Sequence, residues 1–160
     1  MENKYIIIVV SRVKIDYKKL LFYICIPLVL GFIVGFLSGS FNGFSDINTP
    51  EFIPPRIAFP IVWSILYVLM GISRYLVRDD YDAVKSYNWQ LGVNLLWSFL
   101  FFSFKRYWFA FLWLLFLIVL VGIMIYRFFK VSKAGAYIEI PYLLWILFAA
   151  FLNLQIALLN

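Results

Sequence analysis

Residues 107–126 read YWFAFLWLLFLIVLVGIMIY, a run without a charge, an amide or a proline. At about 1.5 Å of rise per residue, roughly 20 such residues cross the ~30 Å hydrocarbon layer of a bilayer. Lys105 and Arg106 bound the run on one side, and Arg127, Lys130 and Lys133 on the other. A stretch of this kind cannot be the solvent-covered element of a soluble domain, so the unit of this fold is a membrane-spanning helix.

Four further stretches lack Asp, Glu, Lys and Arg: 20–45, 57–73, 86–104 and 140–160. Ser38, Gly39, Ser40, Asn42 and Gly43 read as a helix end and loop that stop the first one early. Arg74 can lengthen the second by reaching toward the interface. The spans then fall at about 20–41, 57–76, 86–104, 107–127 and 138–159. Backbone in lipid must pair internally, and strands of a barrel would alternate polar with apolar residues, which these do not. The expected fold is an all-α membrane protein, a bundle of five transmembrane helices. Residues 20–160 form one domain behind a basic N-terminal extension, 1–19. The segment 20–40 is about twice as long as a signal-peptide core, which predicts a retained helix.

Composition agrees with lipid as solvent. The 160 residues are 65% hydrophobic, 22% aromatic and 14% charged, with mean hydropathy +0.94; soluble domains hold about 45–50% apolar and about 25% charged residues. Histidine is absent and Cys25 is the single cysteine, so His-dependent nucleophilic catalysis, His-ligated zinc and thiolate clusters are excluded, and no metal is expected. Asp79, Asp80 and Asp82 stand between Arg78 and Lys85 and read as a solvated turn, because a hard cation wants about six or more oxygens. Lys4, Arg12, Lys14, Lys18 and Lys19 precede the first span, Arg74, Arg78 and Lys85 surround the second connection, and Arg127, Lys130 and Lys133 surround the fourth. Only Arg56, Lys105 and Arg106 fall on the other side, which predicts a cytoplasmic N-terminus. The net charge of +6 is thereby assigned to topology and anionic lipid, with no nucleic-acid partner.

Three spans carry faces that combine rings with small or polar residues. Pro60, Trp63, Tyr67 and Gly71 recur at three and four in the second, as do Gln90, Asn94, Trp97 and Phe101 in the third. The fifth offers Tyr142, Trp145, Ala149, Asn153 and Ile156. A buried amide needs a partner, so Gln90 and Asn94 either bond helix to helix or line a cavity, and spacing does not separate the two uses. Together the three faces can wall a flat, mostly apolar site with a few polar fixing groups. Gly31, Gly35 and Gly39 give the first span a close-packing stripe, within the bundle or against a second protomer. The first connection, 42–56, is long and stiffened by Pro50, Pro54 and Pro55, with Phe52 and Ile53 at its apolar tip, and it reads as a lid.

TPEFIPP (49–55), FPIVWSILYVLMG (59–71), QLGVNLLWSFLFF (90–102) and PYLLWILFAAFLN (141–153), in this order on five spans, resemble the tryptophan-rich sensory protein family, TspO/MBR, over roughly residues 27–160. Its mammalian members are called translocator protein or peripheral benzodiazepine receptor. The resemblance implies a five-helix bundle, frequently a homodimer, with a pocket under the first loop. It implies porphyrin as ligand, and for some members cholesterol or benzodiazepine-type drugs. Trp63 and Trp145 match two pocket tryptophans linked in bacterial members to light-dependent porphyrin breakdown; Asn94, Trp97 and Ala149 match further pocket positions. Where the family loop usually reads W-x-P-P, this chain has Phe52-Ile53-Pro54-Pro55, which loses the indole N–H. The sterol-recognition pattern of mammalian members does not follow the fifth span here, and the N-terminal extension is longer than is typical.

On that footing the expected activity is ligand binding. Trp63, Trp97, Trp145 and Phe148 would stack on a protoporphyrin IX-like tetrapyrrole or another flat hydrophobic molecule, and Tyr67, Asn94 and Asn153 would offer hydrogen bonds. Phe52, Pro54, Pro55 and Arg56 would form the lid, and Arg56, at the pocket rim, would meet the propionates. No cofactor beyond the porphyrin as ligand is expected. The alternatives are light-dependent degradation through Trp63 and Trp145, transport, for which inverted repeats and broken helices are lacking, and a structural or regulatory partner role.

Overall fold

The computed structural model describes residues 15–44 and 47–160; the expected basic extension lies outside the described residues up to position 14. Helix α1 spans Tyr17–Leu37, followed by a 3₁₀ turn at Ser40–Asn42. Helices α2 (Ala58–Leu76), α3 (Tyr81–Ser98), α4 (Tyr107–Val131), the short α5 (Lys133–Ile138) and α6 (Ile140–Leu159) complete the chain, and no strand occurs among the described residues. Five helices are therefore long, and α1, α2, α4 and the α5–α6 segment are long and apolar enough to cross a membrane. The exception, α3, turns its polar residues inward: Ser86, Tyr87, Gln90 and Asn94 are all buried. The protein is an all-α, multi-pass membrane bundle.

Three helices, α1, α3 and α5, begin where a side chain caps them, not where charges end. The Asp16 side chain accepts from Lys19 N at 3.1 Å, starting α1 three residues before the expected span. Asp80 accepts from Ala83 N at 2.8 Å and starts α3 five residues early, so Asp82 and Lys85 ride inside the helix. Asp79 pairs with Arg78 at 3.6 Å, in keeping with a solvated turn. Ser132 Oγ accepts from Gly135 N at 3.2 Å and caps α5, and Pro141 occupies the first turn of α6, where a missing N–H is harmless. At the other end of α3 the backbone widens into a π turn, Phe99–Ser103, closed by Phe104 N donating to Phe99 O at 2.9 Å. Lys105 then turns the chain with φ of 50° into α4.

Helix α1 ends at Leu37, and Gly39 follows with φ of 76°. Gly39 thus makes the turn beyond the helix and does not share its packing stripe, a difference from the sequence reading that the left-handed backbone explains. α1 packs on α2 at close range. A Cβ on Gly71 would lie 2.4 Å from Ile24 Cα and 2.7 Å from Tyr23 O. Pro27 lies inside α1 and has no N–H to offer Tyr23 O, so that carbonyl is free to face the glycine. Gly31 receives the Tyr67 ring in the same way.

α4 packs on both α3 and α6, and the core between them is sealed by Leu114, Leu117, Val121, Met124, Phe128 and Ile146, all about fully buried. The outward faces carry Phe22, Phe32, Phe36, Leu112, Phe116 and Leu144, each at least half exposed in the isolated chain. Lipid is the solvent that such a surface requires. The bundle has two distinct ends. Asp16 N donates to Tyr75 OH and Arg127 Nη1 to Asp82 O at one; Ser103 Oγ donates to Ser38 O at the other, where the first loop lies.

A candidate ligand pocket under the first loop

At the loop end, α1, α2, α3 with its π turn, and α6 enclose a cavity of about 150 Å³. All eight residues expected to contact a ligand line it: Trp63, Tyr67, Asn94, Trp97, Trp145, Phe148, Ala149 and Asn153. The helical period brings them together, since each face repeats at three and four along its own helix. The rings form a continuous wall. Trp63 packs on Tyr67 with centroids 5.6 Å apart, Trp145 on Phe148 at 5.5 Å, and Trp97 on Phe101 at 5.3 Å.

Polar groups are tied in two chains. Tyr67 OH donates to Asn94 Oδ1 (3.2 Å), Asn94 Nδ2 to Tyr142 OH (2.8 Å), and Tyr142 OH to Gln90 Oε1 (2.9 Å). Trp97 Nε1 donates to Asn153 Oδ1 at 3.2 Å, and Asn153 Nδ2 to Tyr107 O at 2.9 Å. The two uses open to the third helix are thus divided: Gln90 bonds helix to helix deep in the bundle, while Asn94 both bonds across helices and lines the cavity. One donor in the wall is unspent. Trp145 Nε1 is buried and has no hydrogen-bond partner among the described residues.

The lid residues separate. Arg56 lines the cavity, and its side chain runs along Gly43, whose added Cβ would lie 3.2 Å from Arg56 Cδ. Phe52, Pro54 and Pro55 do not line it. The Phe52 ring stacks on Phe151 at 5.6 Å with 24° between planes, holding the loop to the outer face of α6. A reciprocal amide pair fastens the same loop: Asn48 N donates to Asn160 Oδ1 at 3.0 Å, and Asn160 Nδ2 to Asn48 O at 2.9 Å. Of the three glycines, Gly31 and Gly35 line the cavity and Gly39 does not.

Sequence reasoning missed several wall residues. Phe59 precedes Trp63 by four and could have been added to its face. Phe41 and Phe44 sit in an aperiodic loop with no such signal, yet Phe44 closes the mouth against Phe59 (5.1 Å), Phe102 (5.8 Å) and Phe101 (6.1 Å). The result is an enclosed aromatic chamber with one cation at its rim, one unspent donor in its wall and a latched cover.

The sequence model of the TspO/MBR family matches residues 23–159 of this chain. The tryptophan-rich protein TspO of Archaeoglobus fulgidus is 34% identical over 149 residues, covering 89% of this chain and 97% of that protein. The protein of the same name from Chlorobaculum tepidum is 30% identical over 150 residues, covering 86% and 94%. The translocator protein of Ovis aries is 30% identical over 121 residues, covering 71% of this chain and 72% of the sheep protein.

Proposed function

The chain belongs to the TspO/MBR family, and on that premise we propose that it is a membrane receptor for a porphyrin or a similar flat hydrophobic ligand, held in the chamber under the first loop and serving tetrapyrrole or stress sensing. The observation that supports this reading is the convergence of Trp63, Trp97 and Trp145 from three helices on one cavity. Indole faces give a planar ligand a large stacking area, and Trp145 Nε1 gives it one fixed donor. Arg56 is in no salt bridge among the described residues and can meet a propionate at the rim. A chamber of about 150 Å³ is below the ~300–1,000 Å³ usual for ligand sites, so a tetrapyrrole enters only as the cover lifts. The Asn48–Asn160 latch and the Phe52 stack are the contacts that must release.

We place the protein in the cell membrane with its N-terminus cytoplasmic, on the strength of the cations gathered around the α2–α3 and α4–α5 connections. The homodimer expected from the resemblance would use a face other than the α1 glycines, because Gly31 and Gly35 are spent on Tyr67 and Phe41 within the protomer. Titration of the purified protein with protoporphyrin IX, followed by tryptophan fluorescence, tests the binding. Saturable quenching that weakens in Trp63→Phe/Trp145→Phe is expected; its absence, or an unchanged affinity in that variant, rejects the reading. Because both tryptophans of the expected photochemistry line the chamber, light-dependent breakdown of bound pigment is the second reading. Pigment bleaching no faster with protein than with empty detergent micelles rejects it.

A further inference from the structure

Five buried side-chain atoms lack a hydrogen-bond partner among the described residues: Trp145 Nε1 in the chamber, and Arg74 Nη1, Tyr87 Oη, Gln90 Nε2 and Glu139 Oε2 elsewhere. The latter four form one group toward the end opposite the lid. Tyr87 and Gln90 are one turn apart on α3. Glu139 precedes α6 by one residue, and one turn later Tyr142 holds Gln90 through its hydroxyl. Glu139 Oε1 is hydrogen-bonded to Ser73 Oγ, whose neighbour Arg74 sets its guanidinium 4.7 Å above the Tyr23 ring and 5.9 Å from that of Tyr87. Tyr87 lies within electrostatic reach of both Arg74 and Glu139. Yet neither charge is in a salt bridge among the described residues, and Gln90 and Glu139 are completely buried.

A bundle in lipid does not leave four such atoms bare, since each has given up water without replacement. Their chemistry says what fills the gap. Arg74 Nη1 and Gln90 Nε2 only donate, Glu139 Oε2 is a carboxyl oxygen, and Tyr87 Oη can do both. An anion would meet the Glu139 carboxyl, and a metal ion would meet the Arg74 charge and a single carboxyl. Water is the complement of the whole set, because it accepts from one member while donating to the next.

We propose that Arg74, Tyr87, Gln90 and Glu139 enclose an internal hydration site, in which ordered water bridges the Arg74 guanidinium to the Glu139 carboxyl with Tyr87 as the hub. Through Gln90 this water joins the Tyr142–Asn94–Tyr67 chain. One polar path then runs from the chamber wall to the charged end of the bundle, whatever ligand the chamber takes.

X-ray radiolytic hydroxyl labelling of the full-length protein in nanodiscs, read by mass spectrometry, tests this, because ordered internal water labels the side chains beside it. Tyr87 is expected to be labelled despite its burial, and to lose the label in Arg74→Leu/Glu139→Leu, where nothing binds the water. A thermal-unfolding cycle gives a second readout. Arg74→Leu and Glu139→Leu alone should each lower Tm, and the double variant should recover part of the loss, because each single change strands the other charge. An unlabelled Tyr87 in the unaltered protein overturns the proposal without any variant. So does a label that survives the double change, or Tm losses that simply add.

Discussion

Gly71 has no room for a methyl group, since its added Cβ meets backbone atoms of α1 at 2.4 and 2.7 Å and a helix axis cannot step aside as a side chain can. Gly71→Ala should therefore cost about 1–3 kcal/mol, seen as a lowered Tm in detergent, with α1 pushed off α2. Gly92 has nothing within 4 Å, and Gly92→Ala should be neutral or raise stability by up to about 1 kcal/mol through helix propensity. The pair of variants separates close packing from propensity. In the chamber wall, Trp145→Phe keeps a ring and removes the unspent N–H. A ligand with an acceptor at that point should bind about tenfold more weakly to the variant, while naphthalene, which has none, should bind equally. Equal loss for both would assign Trp145 to shape alone.

Among the elements, the long helices and their inward faces were readable because a 3.6-residue period survives in the order of rings, amides and small residues. Trp63, Tyr67, Asn94, Trp97, Trp145 and Asn153 were found in that way. Helix starts were not, because counting charge-free residues skips Lys18, Lys19, Asp82 and Lys85, which lie within helices that Asp16 and Asp80 cap. The lid was legible as a long proline-stiffened loop, but not its inner surface. Phe44 and Phe52 look alike in sequence, and only tertiary contact sends the first to the mouth and the second to Phe151. Nor does any local pattern pair Asn48 with Asn160, or Ser73 with Glu139. Lifting the lid is expected to limit ligand entry. Asn160→Ala removes the two side-chain bonds to the Asn48 backbone, of about 0.5–1.5 kcal/mol each, and should speed protoporphyrin IX association several-fold in stopped-flow quenching. An unchanged rate would mean that entry does not require this latch.

For the molecule as a whole, the charged end and the lid end make orientation measurable. In a Cys25→Ala background, Lys105→Cys should react with a membrane-impermeant maleimide on intact cells, and Lys133→Cys only after lysis; the reverse order would invert the assignment. The place of α1 carries one more consequence. It is the least buried of the apolar spans, and its Gly31 and Gly35 form one wall of the chamber, so a helix one layer thick separates the site from acyl chains. A hydrophobic pigment that partitions strongly into the bilayer is then in equilibrium with the protein from a lipid reservoir. The occupancy of the site follows the mole fraction of pigment in the membrane, not its aqueous concentration. Adding empty vesicles at fixed protein and fixed pigment should therefore raise the apparent Kd in proportion to total lipid, and dilution with buffer should scarcely matter.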